Sequence, residues 1–434
     1  MRILLVNPPV YDFALHDYWL KPYGLLRIAS ALKREGIEFD FFDFLDRGHP
    51  FYRNLDLKTD EYGRGKFYFE EVNKPDVISF VPRKFKRYGL PQSIFLEETF
   101  FKEYEYIFIT TGMTYWYLGV KEVIEISKER WLKAKIVVGG VAATLTPDFY
   151  ISLGADEVVV GDNWESFWQN NFYLNPVEDL PYYDVYEDLK YAVIRINEGC
   201  PLRCSYCASF LLKPKFKTID VSNLVKLVEK LYLSRSIRDF VFYDDALLYN
   251  LEGGLLPFRD GLKEKKLLGK IRFHTPNALH VRKITRETAY LLKEMGFETI
   301  FLGVETVNPE LLKKVGWKLS FADFERAVEN LKEAGFTGDK VTAYIFLALP
   351  GQPPEEVEEN IKIISEFGIR VSLSEFSPIP GTPLGNQVIE QYKLYDPLLT
   401  NNSVFPVIYY GFETVNRLKN LKNELQRKFL SISH

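Results

Sequence analysis

The sequence predicts an α/β protein in which a doubly wound parallel sheet precedes a partial (β/α)6 barrel and a small C-terminal extension. Two observations support this fold class. Short apolar strands alternate with amphipathic helices in both halves of the chain, and the strands are apolar at consecutive positions, as is typical of strands buried on both faces. The length of 434 residues is also too great for one ordinary domain, so we expect at least two.

The domain boundaries are predicted where this alternation breaks. We expect a first domain over residues 1–170, a linker over 171–190, the barrel over 191–385 and a helical extension over 386–434. The first domain is interrupted at about 46–100 by an insertion rich in Tyr, Phe, Lys and Arg, in which we find no clear period.

The individual elements follow from apolar spacing and from the residues that end helices. The first strand is predicted at Arg2–Asn7, and the first helix at Tyr23–Glu35, which stops at Gly36. The other strands of the first domain are predicted at Ile37–Phe44, Tyr106–Thr110, Lys135–Val138 and Glu157–Val160. The six barrel strands are predicted at Ala192–Ile196, Phe240–Tyr243, Ile271–His274, Thr299–Val304, Ala343–Leu347 and Val371–Glu375, with a charged amphipathic helix at Phe412–Phe429 in the extension.

Composition narrows the class of function. The net charge of −4 gives no reason to expect general nucleic-acid binding. The insertion is nevertheless basic and aromatic, and a patch of this kind binds nucleic acid or a phosphate-bearing substrate; acidic neighbours favour the alternative of a structural elaboration. No stretch is apolar enough to span a membrane and no signal peptide is evident, so we expect a cytoplasmic protein. The basic and aromatic residues of the insertion are Arg64, Lys66, Arg83, Lys84, Lys86, Arg87 and Tyr88.

The three cysteines of the chain, Cys200, Cys204 and Cys207, all lie within eight residues, directly after the first barrel strand. Clustering of this kind indicates a shared metal centre rather than a disulfide framework. Iron–sulfur clusters usually have four cysteine ligands, so three would leave one iron of a cubane open to a substrate or cofactor. A Cys₃His zinc site is the alternative, and none of the five histidines is near in sequence.

This C-x3-C-x2-C loop resembles that of the radical S-adenosylmethionine (SAM) superfamily, including the aromatic residue, here Tyr206, before the third cysteine. The resemblance implies that the cysteines hold a [4Fe–4S] cluster, that SAM chelates the open iron, and that the reduced cluster cleaves SAM to a 5′-deoxyadenosyl radical. It further implies an electron donor such as ferredoxin or flavodoxin.

The resemblance also implies roles for residues at the ends of barrel strands. Asp244 follows the second strand, where the family contacts the SAM ammonium; a simple strand-ending turn is the alternative. Glu305 ends the fourth strand, where the family contacts polar groups of SAM, and the alternative is an exposed rim glutamate. His274 ends the third strand and is a candidate for the substrate side, although a lone histidine is more often structural.

The first domain resembles the cobalamin-binding domain that precedes many radical SAM barrels. The resemblance rests on VNPP after the first strand, PYGLLRIASALKREG as the first helix, TTGMT after a central strand and VVGGVAAT before ADEVVVGD. It implies cobalamin contacts at Thr111, Gly112, Gly139 and Gly140. The Asp-x-His-x-x-Gly motif that supplies a histidine to cobalt in other cobalamin proteins is absent from the sequence. A domain that keeps the fold and binds no corrinoid is therefore the alternative.

The function expected from these features is a radical SAM enzyme, with cobalamin-dependent methyl transfer to an unknown substrate as the leading hypothesis. A radical SAM enzyme without cobalamin, which catalyses hydrogen abstraction, cyclisation or rearrangement, is the second hypothesis. A non-catalytic iron–sulfur protein is the third. Enzymes with auxiliary clusters are disfavoured because no cysteine is left to bind a second cluster.

Overall fold

In a computed structural model, which describes residues 1–161, 164–172, 180–316 and 319–432, the chain divides into two compact units, residues 1–193 and 194–434. The division falls inside the first barrel strand rather than in the linker expected at 171–190. Residues 173–179 of that linker lie outside the described residues. Among the described helices, none is long and apolar enough to cross a membrane.

The first unit is built on a five-stranded parallel sheet. Its strands are β1 (Arg2–Asn7), β2 (Glu38–Asp43), β3 (Tyr106–Thr111), β4 (Lys135–Gly140) and β5 (Glu157–Val159). The spatial order is β5-β4-β3-β1-β2, so the direction in which strands are added reverses between β1 and β3. In open α/β sheets, ligands bind outside the carboxyl ends of the strands at such a reversal.

Apolar residues on both faces of the strands explain why this sheet is buried. Ile3 and Leu5 enter one apolar cluster, whereas Leu4 and Val6 enter the cluster on the other face. Successive side chains of a strand point to opposite faces, so a run of apolar residues serves a sheet covered on both sides. The covering helices are Tyr23–Arg34, Tyr117–Arg130, Val141–Leu145, Pro147–Ser152 and Trp164–Phe172.

The insertion at 46–100, in which the sequence shows no clear period, contains short strands and a helix. Its strand Phe85–Tyr88 is the centre of a three-stranded antiparallel sheet and pairs with Phe69–Val72 on one side and with Val10–Asp12 on the other. Gly65–Lys66 pairs with His16–Asp17. A helix, Gln92–Glu98, follows. The alternation of apolar and polar residues could not reveal this sheet, because its strands have only three or four residues each. The strand Val10–Asp12 also lies outside the insertion.

The basic residues of the insertion are largely engaged within the protein. The guanidinium of Arg87 is buried and binds both carboxylate oxygens of Glu122, at 2.7 and 2.9 Å, while Lys84 pairs with Glu71 and Arg64 with Asp60. These contacts favour the structural elaboration over a nucleic-acid surface.

The barrel strands are β6 (Tyr191–Ile194), β7 (Asp239–Phe242), β8 (Arg272–His274), β9 (Phe297–Glu305), β10 (Val341–Leu347) and β11 (Arg370–Glu375). They pair in chain order in one six-stranded sheet. The predicted partial barrel is confirmed, and the strand ends differ from the expected ones by one or two residues. A helix, Phe412–Ile432, lies along β11, and its Gln426 Nε2 donates to the carbonyl of Val371 at 2.7 Å. The longer helices are Val221–Arg235, Leu256–Glu264, Arg286–Met295, Pro309–Val315, Phe321–Glu333, Pro354–Glu366, Pro383–Tyr392 and Phe405–Tyr410.

Candidate functional site

The cysteine loop lies at the carboxyl end of β6. After that strand, Asn197–Glu198 pairs antiparallel with Lys217–Thr218, and this short ladder forms the base of the loop. All three cysteines are reduced thiols; Cys204 is buried, whereas Cys200 and Cys207 are partly exposed. Carboxyl ends of barrel strands are where such folds place their chemistry.

Two helices from distant parts of the barrel hold the middle of the loop. The amide of Ser205 donates to the carbonyl of Val315 at 3.3 Å, and the carbonyl of Ser205 accepts from the amide of Leu384 at 2.9 Å. Val315 ends one helix and Leu384 begins another. The loop conformation is therefore fixed by tertiary contacts rather than by its own sequence.

Gly316 touches the buried cysteine of the loop. Its φ of +126° is unfavourable for any residue with a side chain, and an added Cβ would lie 3.2 Å from the Cα of Cys204. The close approach of backbone to backbone at this point explains why a glycine occupies the position.

The donor set fits a cluster better than a single ion. Within the described ranges, no three His, Cys, Asp or Glu side chains converge on one metal ion. His280 comes closest to the zinc alternative, because its Nε2 lies 3.8 Å from the Sγ of Cys200, although 80 residues separate the two in sequence. Three thiols spread around one loop match the ligands of a cubane, which presents a separate iron to each sulfur.

The thiol of Cys200 is protonated in the absence of iron. Burial, with the neighbouring Cys207 and Asp245, raises the pKa of Cys200 to about 11. Only thiolates ligate iron, so formation of the cluster releases this proton.

Tyr206 and Glu305, both selected from the sequence, meet in the structure. The phenol of Tyr206 donates to Oε1 of Glu305 at 2.8 Å, and its ring packs edge-on against Phe346. Burial, with the nearby carboxylate, raises the pKa of Tyr206 well above its usual range, so the phenol keeps its proton and acts as a donor. The pair joins the cysteine loop to the end of β9.

Glu305 has a left-handed backbone conformation, with φ at +65°. Non-glycine residues in this region are strained, and such strain is often found at functional sites. The next residue, Thr306, is buried and donates to Oε1 of Glu356 at 2.5 Å, while Nδ2 of Asn360 donates to the hydroxyl of Thr306 at 3.1 Å. This network holds the strained turn. It was not predicted from the sequence, in which the only indication of it is the polar residues on the inward face of the helix Pro354–Glu366.

Asp244, for which the sequence predicts a contact with SAM, hydrogen-bonds to the backbone in the structure. Its carboxylate is buried and accepts from the backbone amides of Ile196 and Asn197, at 3.1 and 2.5 Å. Both amides belong to the segment between β6 and the cysteine loop. Asp244, of which only 3% is exposed, therefore braces the base of the loop.

The bracing role of Asp244 makes a prediction about pH. Burial raises the pKa of Asp244 to about 7, whereas an aspartate in the unfolded chain titrates near about 3.9. The folded chain therefore keeps this proton to a higher pH than the unfolded chain does. The contribution of Asp244 to the free energy of unfolding is complete below about pH 4 and is lost as the pH rises through 7. We expect Asp244→Asn to lose less stability than the wild type between pH 5 and pH 8, as measured by chemical denaturation of the iron-free protein.

A second aspartate provides the control for this experiment. Burial would raise the pKa of Asp323, but hydrogen bonds from Arg282 and Ser320 outweigh it and lower the pKa to about 2. Asp323→Asn should therefore leave the change in stability between pH 5 and pH 8 as in the wild type. Equal pH dependence in the wild type and Asp244→Asn would contradict the assignment.

His274 is a buried structural residue rather than a substrate-side one. Its side chain is fully buried, with Nε2 at 2.9 Å from Oδ1 of Asp239 and Nδ1 at 3.0 Å from the hydroxyl of Thr299. These contacts tie three neighbouring barrel strands together.

The four residues selected in the first unit lie together at the carboxyl ends of β3 and β4. The hydroxyl of Thr111 donates to the carbonyl of Gly139 and accepts from the amide of Ala143, both at 3.0 Å. An added Cβ would lie 2.9 Å from Trp116 at Gly112, 2.6 Å from Trp164 at Gly139 and 2.7 Å from the carbonyl of Thr111 at Gly140. Packing within the unit thus already accounts for these glycines.

Two exposed apolar side chains at the same edge were not selected from the sequence. Met113 follows β3 and is 49% exposed, and Val141 follows β4 and is 41% exposed. β3 and β4 are adjacent, with Thr111 opposite Gly140, so the two residues lie on neighbouring strands, of which β3 borders the reversal of strand order. In the sequence, each of these apolar residues directly follows a glycine of its loop, and this position could have identified them.

Comparison with known proteins places the barrel in a family. Residues 194–364 match the profile described as the Radical SAM superfamily. The chain is 22% identical over 253 residues to the uncharacterized methyltransferase PH0819 of Pyrococcus horikoshii, covering 57% of this chain and 51% of the relative. It is 24% identical over 423 residues to the hopanoid C-3 methylase of Methylococcus capsulatus, covering 91% of this chain and 75% of the relative. The chain thus spans about half the length of PH0819.

Among solved structures, the fold is similar to that of TsrM, a radical SAM methyltransferase from Kitasatospora setae. The TM-score is 0.63 at 19% identity, over 90% of this chain and 78% of that one, in a structure with cobalamin and a [4Fe–4S] cluster bound. The second unit of the chain is therefore a radical SAM domain. Proteins of this family hold a [4Fe–4S] cluster and SAM, so the matched domain implies both as cofactors.

Proposed function

We propose that this chain is a cobalamin-dependent radical SAM methyltransferase in which Cys200, Cys204 and Cys207 hold the [4Fe–4S] cluster. The observation that carries the proposal is the three-cysteine loop at the carboxyl end of β6, in a chain that shares its fold over 90% of its length with TsrM.

The residues around the loop would prepare it for its cofactors. When bound, the cluster supplies a low-potential electron and an open iron position for SAM. The chain would contribute three thiolates, a loop anchored through Ser205, and the carboxylate of Glu305, which Tyr206 orients. A carboxylate fixed in this way would accept hydrogen bonds from ribose hydroxyls or from an ammonium group.

The carboxyl edge of the first unit is the proposed corrinoid site. It lies at the reversal of strand order, where open α/β sheets bind ligands, and it exposes Met113 and Val141. Exposed apolar side chains at such an edge suit the face of a large planar ring.

Corrinoid retention tests the proposal. After anaerobic incubation with hydroxocobalamin and gel filtration, we expect the wild type to keep about one corrinoid per chain by absorption spectroscopy. Met113→Glu and Val141→Glu should each reduce retention at least about tenfold, because a buried unpaired carboxylate would face the ring.

Leu132→Glu provides the matched control for these variants. Leu132 is 85% exposed in the same unit but lies before β4, at the amino edge of the sheet, so its substitution should leave retention unchanged. A folded wild type that keeps no corrinoid would refute methyl transfer through cobalamin and would favour the radical SAM enzyme without cobalamin.

A further inference from the structure

His280 contacts the first cysteine of the loop from another part of the barrel. Its Nε2 lies 3.8 Å from the Sγ of Cys200, a distance at which an N–H group can donate to sulfur. His280 belongs to the segment that follows β8, whereas Cys200 follows β6, and 80 residues separate the two in sequence. The contact is therefore made by the fold of the barrel rather than by the loop itself.

The backbone is fixed on both sides of His280. Before it, the amide of Leu279 donates to the carbonyl of Phe301 in β9, at 2.7 Å. After it, the carbonyl of His280 accepts from the amide of Lys283 at 2.9 Å, within the 3₁₀ turn Val281–Lys283. A barrel strand and a turn thus hold the backbone of this histidine in place.

An aromatic neighbour orients the imidazole ring of His280. The ring of Tyr249, from the turn that follows β7, packs edge-on against it, with centroids 4.8 Å apart and an interplanar angle of 83°. The ammonium of Lys283 lies 4.7 Å from the centroid of the same tyrosine ring. Nδ1 of His280 is buried, and Nε2 is the ring nitrogen that faces Cys200. The orientation of the ring is therefore set before any cofactor binds.

We infer that Nε2–H of His280 donates a hydrogen bond to the Cys200 thiolate of the bound cluster and thereby raises the reduction potential of the cluster. The inference rests on the proposed function, since it requires a cluster at the three cysteines. Hydrogen bonds to the sulfurs are among the factors that set cluster potentials. One-electron reduction adds negative charge to the cluster and its thiolates, and a donor stabilises that charge. The electron comes from an added reductant and the proton stays on Nε2, so His280 is a positioning residue that acts through Cys200.

Two other side chains near the sulfurs differ from His280 in what they can do. The hydroxyl and the amide of Ser209 lie 3.2 and 3.5 Å from the Sγ of Cys207, so they serve a different sulfur. Asp245 interacts electrostatically with Cys200. A carboxylate would act in the opposite direction, because it disfavours added negative charge. The contribution of His280 is thus distinguished from the first by its sulfur and from the second by its sign.

Two substitutions at His280 separate the hydrogen bond from packing, because leucine has no donor whereas the amide of glutamine retains one. After anaerobic reconstitution, the cluster is titrated with dithionite at one fixed pH, and electron paramagnetic resonance measures the reduced fraction at each potential. We expect His280→Leu to lower the ratio of reduced to oxidised cluster about fivefold or more at a given potential. This corresponds to about 40 mV, at about 59 mV per tenfold change for one electron. His280→Gln should stay within about twofold of the wild type.

A second measurement uses the wild type itself. In protein labelled with ¹⁵N-histidine, we expect the reduced cluster to show a weak ¹⁵N coupling in pulsed electron paramagnetic resonance, as for an imidazole that is hydrogen-bonded to a ligand. The coupling should disappear in His280→Leu and in His280→Gln. A strong coupling, as for an imidazole bound directly to iron, would make His280 a cluster ligand and overturn the inference, as would the absence of any coupling. If His280→Leu takes up no iron, the coupling in the wild type decides.

His49→Leu is the matched control, because it makes the same substitution at another half-buried histidine, whose Nε2 lies 2.7 Å from Oε1 of Glu98. It should leave the potential and the ¹⁵N coupling unchanged. An unchanged or raised potential in His280→Leu with full iron content would overturn the inference and leave the proposed function intact. An equal drop in His280→Gln would assign the effect to packing and also overturn it. A wild type without a reducible cluster would refute the proposed function itself.

Discussion

Cys204→Ala is expected to leave the protein folded but unable to form 5′-deoxyadenosine. Cys204 is the buried member of the three thiols, so its loss removes one iron ligand from the enclosed side of the loop. Two thiolates cannot fix a cubane of four irons. After anaerobic reconstitution, we expect iron and sulfide to fall below about one-quarter of the wild-type content, and 5′-deoxyadenosine, formed from SAM and a reductant, to fall at least about a thousandfold by chromatography.

Ser205→Ala is the control for this experiment. It changes the neighbouring residue of the same loop and removes one hydrogen bond, from the Ser205 hydroxyl to the carbonyl of Lys314, which contributes about 1 kcal/mol. It should keep its cluster and most of its activity. If Cys204→Ala made as much 5′-deoxyadenosine as the wild type, the cysteine loop would not be the radical SAM site.

Gly316→Ala is expected to reduce cluster content without unfolding the barrel. The new Cβ would lie 3.2 Å from the Cα of Cys204, so the loop would have to shift, and the left-handed φ adds about 1 kcal/mol of strain. We expect iron per chain to fall by at least about half after reconstitution, because cluster geometry depends on where the three sulfurs lie.

Gly335→Ala separates the two effects. Gly335 also has a positive φ, +87°, but its added Cβ would meet only the end of the Lys293 side chain, at 3.8 Å. Because of the backbone strain, this variant should be less stable than the wild type in thermal denaturation. It should keep the iron content of the wild type. Equal loss of iron in both variants would mean that strain alone, rather than contact with Cys204, disturbs the loop.

The regular elements of the fold could be predicted from the sequence because their apolar patterns are local. The strand Arg2–Asn7 is found as expected, and the helix predicted at Phe412–Phe429 extends to Ile432. The antiparallel sheet of the insertion could not be predicted, since its register is set by pairing between Phe85–Tyr88 and a strand some 75 residues earlier.

The residues of the site could be predicted from the sequence more readily than the contacts between them. Cys200, Tyr206 and Glu305 could be selected because a motif or a strand end marks each of them. The hydrogen bond between Tyr206 and Glu305 and the approach of His280 to Cys200 join residues separated by 99 and 80 positions, so they exist only once the barrel has closed. The hydrogen bonds of Asp244 to the backbone were also inaccessible, because a position at a strand end does not reveal which groups a carboxylate contacts.

The raised pKa of Cys200 has a consequence for the life of the protein before it acquires iron. With a pKa of about 11, only about one chain in ten thousand carries the Cys200 thiolate at neutral pH. Peroxides and alkylating agents attack the thiolate and leave the thiol largely untouched. At this cysteine, chains that have not yet received iron would therefore react slowly with peroxides and alkylating agents.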